Sequence, residues 1–160
     1  DGHRLCKVSF KPEQSKKTNF LCPKCKKPLT IGVLARVNQL ADRPDGFKLT
    51  GSVPYKNIIP LDQIIADSLG LGNTGNTGWP KRIVYEYEKL IKYFGNEFTV
   101  LLEQSIEELK RATLPEIAQG IFKVREQKVH IEPGYDGEYG KIRIFTADER
   151  EKALRQASLL

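Results

Sequence analysis

Two short runs, HRLC at residues 3–6 and CPKC at residues 22–25, constrain this chain more than any other feature. Each sets two metal-ligating side chains two residues apart, and fifteen residues separate the pairs. Two intervening residues allow a tight turn to aim both side chains at one ion, and a hairpin between the pairs would bring the second turn beside the first. That is the spacing of a zinc ribbon, in which a His can stand for one Cys. The expected ligands are His3, Cys6, Cys22 and Cys25, with His130 or a residue before Asp1 as alternatives to His3 for the fourth position. A reduced pair without metal, or a redox pair, is the competing reading of CPKC. Redox motifs of that kind open a helix in a βαβ setting, and none is visible here. Four protein ligands close a tetrahedron and leave no position for water, so the expected cofactor is a structural Zn2+ without Lewis-acid chemistry. The metal replaces a core that about 30 polar residues cannot form. The position after the second cysteine of such a turn favours a left-handed backbone, and here it is Lys26.

The charge pattern adds to this. The net charge is +6, and residues 1–30 hold eight Lys/Arg against two acids, a surplus equal to that of the whole chain. Lys7, Lys24, Lys26 and Lys27 crowd the cysteines, with Lys11 and Arg36 nearby in sequence. Such a basic patch suits phosphate-backbone contacts that carry affinity without reading sequence, so DNA is the expected partner. The bland alternative is that these lysines only keep a small module in solution. Trp79, Tyr135 and Tyr139 lie in glycine-rich loops and are candidates either for stacking on bases or for packing against a neighbour. An odd number of cysteines, with no signal peptide and no apolar run of spanning length, points to a reducing cytoplasm and away from a membrane. The chain contains no methionine. It is expected to be part of something longer.

Along the chain the pattern moves from a lysine-rich loop-and-hairpin segment, with a short strand at Val8 and Phe10, to helical spacing at Ile31, Leu34 and Leu40. Pro44 and Gly46 stop that helix, and a further short helix is expected from Pro60 to Leu69. GLGNTGNTG at residues 70–78 reads as a linker. Ile83, Tyr87, Leu90, Ile91 and Phe94 then mark one helix face, with Glu86, Lys89 and Lys92 directed away from it and Gly95 as the stop. Three S/T-x-x-E runs (Ser105 with Glu108, Thr113 with Glu116, Thr146 with Glu149) predict three helix starts. The middle helix is expected to bury Leu114, Ile117, Ala118, Ile121 and Phe122. Residues 129–131 and 141–145 read as strands joined by EPGYDGEYG, which carries an Asp-Gly turn signal. The expected fold class is mainly α with a small zinc-ribbon β module, followed by a helical domain with one β-hairpin. Its divisions are 1–50 for the metal module and following helix, 51–79 for a connecting segment, and 80–160 for the helical domain.

No catalytic residues are expected. Zinc claims all three thiols, two histidines cannot build a multi-metal hydrolase site, and no G-x-x-x-x-G-K-S/T loop occurs. Glu132, Asp136 and Glu138 are read as a solvated turn.

Two long stretches, CPKCKKPLTIGVLARVNQLADRP (22–44) and VREQKVHIEPGYDGEYGKIRIF (124–145), together with DGHRLC and EYEKLIKYFG, make the chain resemble endonuclease Q and its relatives. These are PHP-family phosphoesterases carrying a zinc ribbon. The resemblance covers nearly the whole chain. It departs from the family pattern at Lys26, where glycine is common, and at Ala35, where histidine is frequent. It implies an upstream PHP barrel that holds the catalytic metals and nicks DNA 5′ to deaminated bases or abasic sites. This chain would then be the zinc-binding and C-terminal helical portion, with His3, Cys6, Cys22 and Cys25 as its zinc ligands. Bacterial relatives are also described as UvrD-type helicases, so the resemblance extends to a helicase domain downstream. A docking or scaffold region for a partner domain, or an accessory segment of such a helicase, are the other functional readings.

Overall fold

Residue spacing at the N-terminus produces two tight turns rather than extended strands. β1 (Gly2–His3) pairs antiparallel with β2 (Val8–Ser9), and a short 3-10 turn over Arg4–Cys6 closes the hairpin between them. Thr30 bridges Gly2 from its other side, and Leu21 bridges Pro28 around the second cysteine turn. The fifteen residues between the two ligand pairs do not form the expected hairpin. They carry a helix, α1 (Pro12–Lys17), with Pro12 at its first position and the Gln14 side chain accepting from the Lys11 N–H at 2.9 Å. Proline fixes φ in the helical range where its missing N–H costs nothing, which favours helix over hairpin there. α2 (Val33–Leu40) follows, and its leading Gly32 N–H donates to Asp1 Oδ1 at 2.7 Å.

The later segment is helical. α3 (Leu61–Ser68), α4 (Lys81–Phe94), a π-helical turn (Thr99–Glu103), α5 (Ile106–Ala112) and α6 (Pro115–Arg125) succeed one another. A hairpin of β3 (His130–Glu132) and β4 (Lys141–Arg143) then follows. The structure is a computed structural model that describes residues 1–71 and 78–149. Most of the expected linker at 70–78, and the rest of the helix expected from Thr146, lie outside the described residues. The protein is mainly α with a small β module. No described helix is long and apolar enough to cross a membrane.

The chain divides into two compact units. One comprises Asp1–Pro54 with Ile131–Lys141, the other Tyr55–His130 with Ile142–Leu160. The first has a small core of Val8, Cys22 and Leu29, with Cys6 and Phe10 packed against it. The second has a continuous core that includes Leu61, Ile64, Ile83, Leu90, Leu109, Ile117, Ile121 and Ile144.

α4 buries Ile83 and Leu90 and half-buries Tyr87, Ile91 and Phe94, as its apolar spacing requires. Glu86, expected to face solvent, is instead 5% exposed, and its Oε2 accepts from the Thr113 hydroxyl at 2.7 Å. That bond also explains why Thr113 does not cap α6. Pro115 sets the helix start, Leu114 takes the cap position, and the Thr113 hydroxyl is already committed. The box at Ser105 forms as expected, with Glu108 N–H donating to Ser105 Oγ and Ser105 N–H donating to Glu108 Oε2. At Thr146 both reciprocal bonds with Glu149 are present. In α6 the buried set is Ile117, Ala118, Gly120, Ile121 and Val124, while Phe122 is only half-buried.

Candidate metal centre

The two ligand turns differ in their closing bond but end alike. His3 ends β1, Cys6 closes the 3-10 turn, and Lys7 follows it with φ 52°. Cys22 and Cys25 span the second turn, where the Lys26 N–H donates to the Cys22 carbonyl at 2.9 Å. Lys26 has φ 62°, the left-handed backbone expected after a second ligand. Each turn therefore ends in a left-handed lysine.

Folding brings His3, Cys6, Cys22 and Cys25 together, their ligand atoms all within 4.8 Å of one another. Cys25 Sγ lies 3.3 Å from His3 Nδ1. A tetrahedral zinc with Zn–S of about 2.3 Å sets its ligands roughly 3.8 Å apart, so the four groups fit such an ion with little movement. His130 stands on β3 in the other unit and is not a member of this cluster.

The thiols are electrostatically unequal. Burial, reinforced by the neighbouring Cys25 and Cys22, pushes Cys6 up to about 11. Burial also raises Cys22, but the backbone N–H groups of Cys25 and Lys24 and the His3 ring act on its sulfur and bring it down to about 6. A divalent ion displaces protons from the thiols, since only thiolates ligate. A soft His/Cys3 donor set of this kind suits zinc.

The basic residues singled out from sequence are all exposed. Lys7, Lys24, Lys26 and Lys27 lie in or beside the two ligand turns, and Lys24 Nζ ties the turns together by donating to the Cys6 carbonyl at 2.8 Å. Lys11 leads into α1, and Arg36 sits on α2 with Nη1 donating to Gln39 at 2.6 Å. Those two are outside the turns.

The loop after β3 has partners that its sequence did not announce. Asp136 and Gly137 are both left-handed (φ 45° and 79°), and Tyr135 bridges Glu138 across them. That is the type I′ turn an Asp-Gly pair favours. Asp136 Oδ2 accepts from the Arg4 N–H at 2.5 Å and Oδ1 from the Thr30 hydroxyl at 2.5 Å. Glu138 lies 3.6 Å from Arg4 Nε. The Arg4 N–H, with the Thr30 hydroxyl, holds Asp136 below the usual carboxylate range. Asp136 therefore has fixed partners that a solvated turn does not require, while Glu138 stays exposed as expected. An Asp-Gly dipeptide reveals a turn, but nothing in it reveals a partner 132 residues away.

Residues 60–128 match the family model described as MJ0043 C-terminal domain, a span that excludes the metal cluster and the loop after β3. The chain is 38% identical over 138 residues to the uncharacterized protein MJ0043 of Methanocaldococcus jannaschii, covering 86% of this chain and 17% of that protein. It is 34% identical over 142 residues to the uncharacterized protein YqxK of Bacillus subtilis, of which it covers 31%. Among solved structures it resembles the lesion-specific endonuclease PfuEndoQ of Pyrococcus furiosus. There the TM-score is 0.72 at 27% identity, over 94% of this chain and 37% of that one. It also resembles an endonuclease Q solved with a 27-mer duplex carrying an abasic lesion at the active site. In that case the TM-score is 0.68 at 29% identity, over 93% of this chain and 36% of that one. The chain thus spans a minor part of each protein it matches. Together, the family model and the two solved structures support an endonuclease Q-like relationship for this chain.

Proposed function

We propose that this chain is the zinc-supported, DNA-contacting portion of an endonuclease Q-like DNA repair nuclease that nicks 5′ to deaminated bases, and that it holds no catalytic site of its own. In this reading a PHP barrel elsewhere in the longer protein carries the catalytic metals. His3, Cys6, Cys22 and Cys25 hold a structural Zn2+ that keeps both turns in register. Lys7, Lys11, Lys24, Lys26, Lys27 and Arg36 meet the phosphate backbone. The reading is carried by the likeness, over 93% of the chain, to an endonuclease Q solved on a DNA duplex. The lysines grouped on the ligand turns supply the matching electrostatics.

Fluorescence anisotropy of the zinc-loaded chain with a labelled duplex, repeated across salt concentrations, tests this. Binding is expected to fall steeply with salt, and the pair Lys26→Glu/Lys27→Glu to weaken it about tenfold or more while leaving the Lys24 bond intact. Salt-insensitive binding, or an unchanged affinity in the double variant, overturns the DNA-contacting role.

A second reading, a docking region for another domain, has its own observation. α2 shows Val33, Leu34, Val37 and Leu40 to solvent, with Val33 82% exposed. An isolated soluble unit rarely leaves such a stripe uncovered. Leu34→Glu/Val37→Glu should then abolish association with a separately supplied PHP barrel of an endonuclease Q relative and leave duplex binding unchanged. Retained association rejects the docking role.

A further inference from the structure

The first ligand turn has a gap in its own capping. His3 precedes the 3-10 turn, but its ring is turned to the cysteine cluster and makes no cap to the turn's backbone. The Arg4 N–H, one of the donors a helical turn leaves without an internal partner, is taken instead by Asp136 Oδ2. The other oxygen of the same carboxylate holds Thr30, which pairs with Gly2 through two backbone bonds of 3.0 and 2.8 Å. One side chain thus secures Arg4, between His3 and Cys6, and the segment that leaves the Cys22–Cys25 turn.

The seat of the loop is specific. A Cβ on Gly2 would overlap the Tyr135 ring and come within 2.7 Å of the Val8 carbonyl, so glycine at this position lets the loop close on β1. Arg4 Nε adds an ion pair to Glu138. The small core of this unit, Val8, Cys22 and Leu29 with Cys6 and Phe10 packed against it, gives the ligand turns limited apolar support. Hydrogen bonds from the loop therefore carry much of the positioning.

We propose that the loop between β3 and β4 is part of the metal centre's support, with Asp136 the positioning residue that sets how tightly the ion is held. The proposal rests on the reading of His3, Cys6, Cys22 and Cys25 as a zinc site. Asp136 touches no ligand atom. It acts by holding the Arg4 amide and the Thr30 hydroxyl, as outer-shell partners hold metal ligands elsewhere.

The test uses the whole 160-residue chain. Zinc affinity is measured by competition with a chromophoric chelator, and the Co2+-substituted protein is compared by visible absorption. Asp136→Asn, which cannot accept at both oxygens, is expected to lose about 10- to 100-fold in zinc affinity and to alter the Co2+ bands. Thr30→Val, which removes one of the two bonds, should lose a smaller factor in the same direction. Ile121→Ala, a destabilised control in the other unit, should leave zinc affinity unchanged. An Asp136→Asn chain that binds zinc within twofold of wild type with unshifted Co2+ bands overturns the positioning role alone. So does an equal loss in Ile121→Ala. A wild-type chain that takes up no zinc overturns the zinc reading, and the positioning role with it.

Discussion

Lys7 and Lys26 each occupy a left-handed backbone position just after a cysteine, with φ of 52° and 62°. An L-residue there costs roughly 1 kcal/mol, which ligation of an ion by the two turns would offset. Lys26→Gly should therefore raise the stability of the zinc-loaded chain by up to about 1 kcal/mol in urea unfolding, and at the same time weaken duplex binding. A change of both in the same direction would reject the assignment of separate backbone and charge roles to this lysine. Gly120 shows the opposite balance. Helix propensity alone favours alanine there by about 1 kcal/mol. A Cβ on Gly120, however, would meet Ser68 Oγ at 2.5 Å and Ile64 Cγ2 at 3.2 Å, where α6 lies against α3. Overpacking wins in a dense core, so Gly120→Ala should lower the midpoint of urea unfolding by the equivalent of about 1 kcal/mol or more. The left-handed lysine was legible in the spacing of its cysteines. The reason for Gly120 was not, because it depends on a helix more than fifty residues upstream.

At the scale of elements, local rules decided the helix ends wherever no distant group competed. Ser105 and Glu108 exchange both bonds of a capping box, and the Ser105 side chain and N–H hold the Glu108 carboxyl below its ordinary range. A carboxyl lowered in this way stabilises the fold above its unfolded value, and the contribution is lost as pH falls through the lowered one. Ser105→Ala should cost about 1 kcal/mol at neutral pH, and thermal unfolding should show the gap to wild type closing under acid conditions. Thr113 carries the same sequence signature, yet Glu86 takes its hydroxyl and Pro115 sets the helix start. The π-helical turn had no sequence signal either. Its C-terminal carbonyls converge on Arg125, whose Nε and Nη2 donate to Leu101 and Val100 at 2.6 Å and whose Nη1 donates to Gln104. Burial lowers the Arg125 pKa. Lysine cannot reproduce this fork, so Arg125→Lys should destabilise by about 2 kcal/mol, read as a lower midpoint in chemical unfolding.

At the scale of the molecule, the two units differ in what holds them. The helical unit buries a continuous set of Ile and Leu side chains, while the N-terminal unit has a small core around Val8 and Leu29 that includes Cys22, one of its four candidate ligands. Removing metal with a chelator should therefore abolish amide-exchange protection over residues 1–40 and leave that of α3 to α6 nearly intact, as hydrogen-exchange mass spectrometry would show. Loss of protection throughout would mean that the helical core depends on the metal centre. The sequence by itself determined the two candidate ligand pairs, the left-handed turn after Cys25, the apolar face of α4, the cap at Ser105 and the Asp-Gly turn. Each of these follows from spacing within a few residues, where the chain's own geometry dictates the outcome. The tertiary structure alone decided that Glu86 is buried, that Thr113 serves it, and that Asp136 reaches Arg4 and Thr30. Those outcomes depend on which polar groups meet after the chain has folded back on itself, and no local pattern encodes a partner contributed from the far end of the sequence.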